Sequence, residues 1–180
     1  MNYFELFDIP VGIKLNRELI KTRFYELSRQ YHPDRFANAS EAEQTEALER
    51  SSMINKAWKT FQNEDETIRY VLSLHDLIEE EEKYELGPDF LMEVMELNEE
   101  LMETGPEDEN NTQELNSVQL KLEQLLTETY NHVEEIVEHY QEATISKEKL
   151  LQLKDYYYRK KYLQRILDKI AGMRNIASRF

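Results

Sequence analysis

Apolar residues recur along this chain at helical spacing, in stretches set off by capping and breaking residues. Four helices are predicted before residue 76. Asn2-x-x-Glu5 is a capping-box pattern that opens a short helix ending near Phe7, with Pro10 and Gly12 in the turn behind it. Asn16 caps a second helix to about Tyr31, whose Leu19, Ile20, Phe24, Leu27 and Tyr31 recur along one side. Ser40-x-x-Glu43 starts a third, with Ala47, Ile54, Ala57, Trp58 and Phe61 pointing inward. Asn63-x-x-Glu66 opens a short fourth that carries Ile68, Val71 and Leu72. The second and third are long and joined by a short connection, so they form an antiparallel helical hairpin.

Residues 76–87 read as a charged linker. Gly87-Pro88 is a start signal, with proline at the first helical position, and Gly105-Pro106 closes the helix that follows, near Thr104. After a polar loop over 106–112, one long helix is predicted from about Thr112 to Glu142, with Leu115, Val118, Leu122, Leu125, Thr129, Val133, Ile136 and Tyr140 at steps of three and four. Ser146 caps a last helix to near Ser178, with Leu153, Tyr156, Leu163, Leu167, Ile170 and Ala177 on one stripe. Three amphipathic helices with short connections make an antiparallel bundle. The expected fold class is all-α: a helical hairpin with two short helices over 1–75, the linker over 76–87, and a three-helix bundle over 88–180.

Composition agrees with that reading. Of 180 residues only 4 are glycine and 4 proline, and there is no cysteine, so neither disulfides nor thiolate ligands are available. No apolar run approaches the roughly 20 residues that span a bilayer, and the first residues lack a basic region, so neither a membrane anchor nor a signal peptide is expected. A cytoplasmic protein is the default. The net charge of −15 is uneven: residues 76–109 hold 15 acidic side chains against 1 basic, while residues 147–180 hold 10 basic against 3 acidic. Such acidity repels nucleic acid, whose binding depends on neutralising phosphates. Packing of the basic helix on the acidic one would itself relieve self-repulsion.

The densest chemistry lies in Tyr31-His32-Pro33-Asp34-Arg35-Phe36, where a helix must stop. Proline has no N–H and drives the preceding residue out of the α region, which holds His32 and Asp34 on a stiff, displayed bend. General acid–base work needs an oriented base in a pocket that excludes water, and two residues straddling a proline on an open loop supply neither. His75, His132 and His139 lie on other elements, and the seven-residue step between His132 and His139 is wrong for an i, i+4 metal pair. The glutamates at 79–82 form no fixed cage, and there is no glycine loop for a nucleotide. No catalytic residue, metal site or cofactor is expected.

A second feature lies on the helix after Pro88. Phe90, Val94, Leu97 and Leu101 make one core stripe, and Leu91, Met92, Met95 and Met102 fall mostly off it. Surplus apolar residues widen a core stripe or await a partner, and methionine adapts to partner surfaces.

The first 75 residues resemble the J-domain, the module by which co-chaperones engage DnaK-type ATPases. The resemblance rests on residues 2–7, on Phe24-x-x-Leu27 with Tyr31-His-Pro-Asp-Arg35, and on Ile54-Asn-Lys-Ala-Trp58-x-x-Phe61, in that order. It implies that His32, Pro33 and Asp34, with basic side chains of the second helix and its end (Lys21, Arg23, Arg29 and Arg35), bind the chaperone and stimulate its ATP hydrolysis. Tyr25 and Glu26 depart from the family's most basic examples. Together with the bundle and the segments 70–75 and 90–100, the chain resembles the HscB family, which delivers the iron–sulfur scaffold protein IscU to the DnaK-type chaperone HscA. That resemblance implies a scaffold-binding patch of Leu91, Met92 and Met95 with Glu96 and Glu99 beside them, and Tyr162 on the last helix. Methionine stands at 95 where leucine is frequent, and tyrosine at 162 where phenylalanine occurs. The alternatives are a J-domain co-chaperone for a different client and a small hydrolase built on His32 and Asp34.

Overall fold

A computed structural model describes residues 1–79, 82–103 and 111–177, with the backbone alone at 111–112 and 175–177. Among the described residues every regular element is helical. The chain divides into two compact units: Met1–Ile78 with Val137–Ser146, and Glu79–Ile136 with Lys147–Phe180.

The first unit holds α1 (Tyr3–Leu6), α2 (Arg17–Gln30), a 3₁₀ turn (Pro33–Phe36), α3 (Glu41–Phe61) and α4 (Glu64–Leu74). Each start follows its cap. The Asn2 and Ser40 capping boxes are both closed, and the side chains of Asn16 and Asn63 each accept two backbone N–H groups. The core is aromatic and aliphatic. Phe61 meets Phe4 and Phe7 at ring separations of 5.0 and 5.3 Å, over buried Ile20, Ile54, Ala57, Ile68, Val71 and Leu72. Tyr3 stacks on Tyr70 at 4.2 Å, and its backbone N–H donates to the Tyr70 hydroxyl. The third helix buries Ala47, Ile54, Ala57 and Phe61 as predicted, with Trp58 half-buried. On α2 only Ile20 is buried, and Leu19 is 42% exposed.

The first helix ends at Leu6 with Phe7 as its C-cap, near the expected place, but two ends in this unit close in a way that the sequence does not signal. After α1 and after α4, Asp8 and Asp76 take left-handed backbone angles (φ 52° and 55°). Ile9 N–H then donates to Phe4 O, and Leu77 N–H to Leu72 O, which are six-to-one closures of the helix ends. Glycine is the usual residue there, and aspartate is one of the few others that tolerate the conformation.

The second unit contains α5 (Pro88–Glu103), α6 (Asn111–Asn131) and α8 (Lys147–Ala177), with α7 (Glu134–Glu138) straddling the division. Phe90, Val94, Leu97 and Leu101 interlock with Leu115, Val118, Leu122, Leu125, Leu163, Ile166 and Ile170. Lys121 bonds Glu100 across α5 and α6, while Arg174 bonds Asn116 and Tyr130 meets Tyr156 across α6 and α8. The two α6–α8 contacts join the start of each helix to the end of the other, and only seven residues separate α5 from α6, so both pairs of helices are antiparallel. The Gly105-Pro106 stop, the loop over 106–110 and Ser178 lie outside the described residues, as do the Ala177 side chain and residues 80–81.

The spacing predicts one helix from 112 to 142, and the structure breaks it after Asn131. The inward periodicity survives, with Thr129, Val133 and Ile136 all buried. The backbone does not, because Thr129 Oγ1 donates to Leu125 O at 2.6 Å, His132 Nδ1 sits 2.6 Å from Glu128 O, and Val133 N–H closes on Tyr130 O. Side chains that bond carbonyls one turn back bend a helix, and Asn-His-Val is a run of weak helix formers. Residues 82–86, read from sequence as linker, are laid on α8: Tyr84 stacks on Tyr158 at 4.5 Å, its hydroxyl donates to Asp155, and Glu82 pairs with Lys154.

Candidate functional site

Where α2 ends, Tyr31 N–H donates to Leu27 O at 2.9 Å, and Pro33 then starts the 3₁₀ turn with His32 as its N-cap. His32 Nδ1 accepts the Asp34 N–H at 3.3 Å and lies 3.5 Å from Asp34 Oδ2. An Nδ1 that accepts leaves the neutral ring's proton on Nε2. Both side chains are displayed, His32 at 56% exposure and Asp34 at 90%. Arg35 N–H donates to His32 O at 3.0 Å, and the Arg35 guanidinium donates to Arg29 O at 3.2 Å. That carbonyl is one of the orphans at the negative end of α2, so Arg35 caps the helix and ties the turn to it. The bend is thus ordered before any partner arrives.

Beside it, α2 rests on α3 through Phe24, stacked on Trp58 at 4.5 Å. The outward side carries Arg17, Lys21, Tyr25 and Arg29 at steps of four, all exposed. Arg17 belongs to this stripe by spacing and is absent from the sequence-derived set. Arg23 is set apart from it, engaged with Asp8 at 3.0 Å and Glu26 at 3.3 Å. So of the four basic candidates, Lys21 and Arg29 share the open face, Arg29 with its Nε donating to Tyr25 O at 3.3 Å along the same helix, while Arg23 is tied to Asp8 and Glu26 and Arg35 to the end of α2.

In the second unit, the helix spacing separates two apolar stripes on α5. Phe90, Val94, Leu97 and Leu101 are buried, whereas Leu91 is 38% exposed, Met92 and Met95 59% each, and Met102 74%. Glu96 and Glu99 are exposed next to them. Tyr162 comes to α5 by its edge-on contact with Phe90, at 6.3 Å and 82°. The Arg165 guanidinium lies 5.4 Å from the centre of the Tyr162 ring, and Arg159 lies 5.0 Å from that of Phe90. The structure therefore places Tyr162 on the bundle side that α5 borders and leaves four apolar side chains of α5 exposed.

Electrostatic perturbations with clear structural causes lie elsewhere. Burial, then the Asp155 carboxylate, pushes the Tyr84 hydroxyl up to about 12. The hydrogen bond from Lys154 holds Glu82 below the usual carboxylate range. Among the described residues, no group of three or more His, Cys, Asp or Glu side chains is arranged to hold a metal ion, and no helix is long and apolar enough to cross a membrane. What the two displayed surfaces offer is docking: a preset polar turn beside cations, and an apolar stripe edged by charge.

Residues 2–70 match the DnaJ-domain model, and residues 86–171 match the model described as the HSCB C-terminal oligomerisation domain. Among solved structures, the chain is similar to the chaperone HscB from Vibrio cholerae, with 26% identity and a TM-score of 0.72 over 98% of this chain and 99% of that one. It is likewise similar to the human co-chaperone protein HscB, with 25% identity and a TM-score of 0.73 over 97% of this chain and 82% of that one.

Proposed function

The chain belongs to the HscB family of J-domain co-chaperones, and on that premise we propose that it binds the iron–sulfur scaffold protein IscU, delivers it to the DnaK-type chaperone HscA and stimulates that chaperone's ATPase during cluster assembly and transfer. The cytoplasm is its place of action. Residues 1–75 serve the chaperone and residues 88–180 the scaffold, with 76–87 between them.

The observation that carries this reading is that each unit leaves one ordered surface unspent. His32, Pro33 and Asp34 stand on a capped turn beside Lys21 and Arg29. Such a turn loses little entropy on docking, and neighbouring cations speed the encounter. Arg23 and Arg35 reach the chaperone only by exchanging their internal partners. Leu91, Met92 and Met95 are exposed beside Glu96, Glu99 and the Tyr162 edge. Burying those side chains in a complex is worth at most roughly 1.5–3 kcal/mol each. The cluster and the nucleotide belong to the partners.

The test separates the two surfaces. His32→Gln abolishes stimulation of the chaperone's ATPase and leaves scaffold binding, followed by titration calorimetry, intact. Leu91→Ala with Met95→Ala weakens scaffold binding and leaves stimulation by the J-domain unchanged. Joint loss of both activities in either folded variant would overturn the division of labour. Normal ATPase stimulation with no scaffold binding by the wild type would favour a different client.

A further inference from the structure

The stripe on α5 has two unlike borders. At 100° per residue, Glu93, Glu96 and Glu100 lie roughly 100° to one side of the core line through Phe90, Val94, Leu97 and Leu101, and Leu91, Met95 and Met102 lie roughly 100° to the other. The first side looks to α6: Glu93, Glu96 and Glu100 line a groove with Lys121, Gln124 and Glu128, and Lys121 bonds Glu100 at 2.7 Å. The second side is the one nearer α8, which meets α5 where Tyr162 touches Phe90.

Because α5 and α8 each run antiparallel to α6, they run parallel to each other. From Tyr162 onward α8 therefore follows the Leu91–Met102 edge. At 1.5 Å per residue, Lys169 stands about level with Leu97. Arg165 and Lys169 follow Tyr162 at i+3 and i+7, on the same face, and both are exposed. Neither makes an ion pair among the described residues. Arg165 is held over the Tyr162 ring, with its Nε donating to Lys161 O at 3.4 Å, and Asp168 is bonded to Gln164 instead.

Resting on the reading that the bundle carries an iron–sulfur scaffold protein, we infer that Arg165 and Lys169 form the cationic border of that docking surface and pair with carboxylates of the bound scaffold, opposite the border of α5 glutamates. The surface then has polarity. It takes a partner whose apolar centre is flanked by cations on the side of Glu93 and Glu96 and by carboxylates on the side of α8, and it rejects that partner turned end for end, which would set like charges together.

The experiment is stopped-flow association of the full-length chain with purified apo scaffold protein, at low and high salt. R165E/K169E slows association roughly tenfold at low salt with little change in dissociation, and the deficit closes as salt screens it. K147E/K149E, an equal charge change at the start of α8, slows it no more than about twofold. R165K keeps the charge without the planar stack and keeps the wild-type rate. Circular dichroism melts check that each variant folds. Association of R165E/K169E at the wild-type rate, or no slower than K147E/K149E, overturns the inference while leaving scaffold binding standing. A wild-type chain that captures no scaffold protein brings down the underlying reading and this inference with it.

Discussion

His75 Nε2 stands 3.3 Å from Glu142 Oε2 across 67 positions of sequence, and Tyr140 completes the contact. Its hydroxyl donates to the same carboxylate oxygen at 2.6 Å and lies 3.2 Å from His75 Nε2. Lys14 adds ion pairs to Glu64 at 2.5 Å and Glu138 at 3.3 Å. These side chains fasten Val137–Ser146 to the first unit.

Tyr140→Phe is expected to cost about 1 kcal/mol, the usual worth of one such hydrogen bond. Burial and then the Glu142 acceptor raise this hydroxyl above the ordinary tyrosine value of 10.0. Its contribution is therefore whole below that value and is lost as pH climbs through the raised one. Hydrogen exchange reads the effect directly: the Thr144 and Ile145 amides, both bonded to Gln141 O, exchange faster in the variant. Unchanged exchange would mean that the segment is held by other contacts.

On α5, Leu91→Ala and Met95→Ala each change stability by no more than about 0.5 kcal/mol, since both side chains already face water. Leu97→Ala, from the buried stripe, loses about 2–5 kcal/mol. Urea unfolding of the three variants separates them. A core-sized loss at Met95 would make it a packing residue and remove it from the docking surface.

The Glu82–Lys154 pair, with side chains 24% and 13% exposed, gives the second unit an acid-sensitive contact. Lys154 holds the Glu82 carboxyl below its ordinary 4.5. A lowered folded value means that the stabilisation is present above 4.5 and fades as pH falls through the lowered one. Glu82→Gln should cost about 1 kcal/mol near neutrality and nothing once the wild-type carboxyl is protonated. Melting curves recorded from pH 7 downward converge if this is right; a constant gap would assign the loss to packing of the amide.

Asp76 closes α4 in a left-handed conformation that glycine adopts without strain. Asp76→Gly is expected to raise the stability of the first unit by about 0.5–1 kcal/mol, read as a higher melting temperature. A fall would show that the aspartate side chain contributes more than its backbone costs.

The helix starts are legible in the sequence because each is written locally, in Asn2, Asn16, Ser40, Asn63 and Pro88. The left-handed closures at Asp8 and Asp76 are not, since aspartate stands where glycine would announce a left-handed residue. The inward set Leu115 to Ile136 is legible from its period, but the break after Asn131 depends on Thr129 and His132 bonding carbonyls one turn back, which periodicity does not register. Of the candidate docking residues, Leu91, Met92 and Met95 are legible as surplus to one stripe. That Arg23 and Arg35 are engaged internally is not, because Asp8 and the carbonyl of Arg29 reach them only once α1 and α2 are folded.

Val137–Ser146 also bears on how the gene is cut. This stretch joins the first unit although its neighbours in sequence on both sides belong to the second. A fragment truncated at Ile78 would leave His75 without Tyr140 and Glu142, and would strip Ile9, Val11, Leu15 and Leu19 of the wall that Tyr140 and Ala143 supply. A reciprocal fragment beginning at Glu79 would carry an orphaned loop. Activities measured on such halves would report amputated proteins, and swapping front modules between relatives calls for grafting the loop as well.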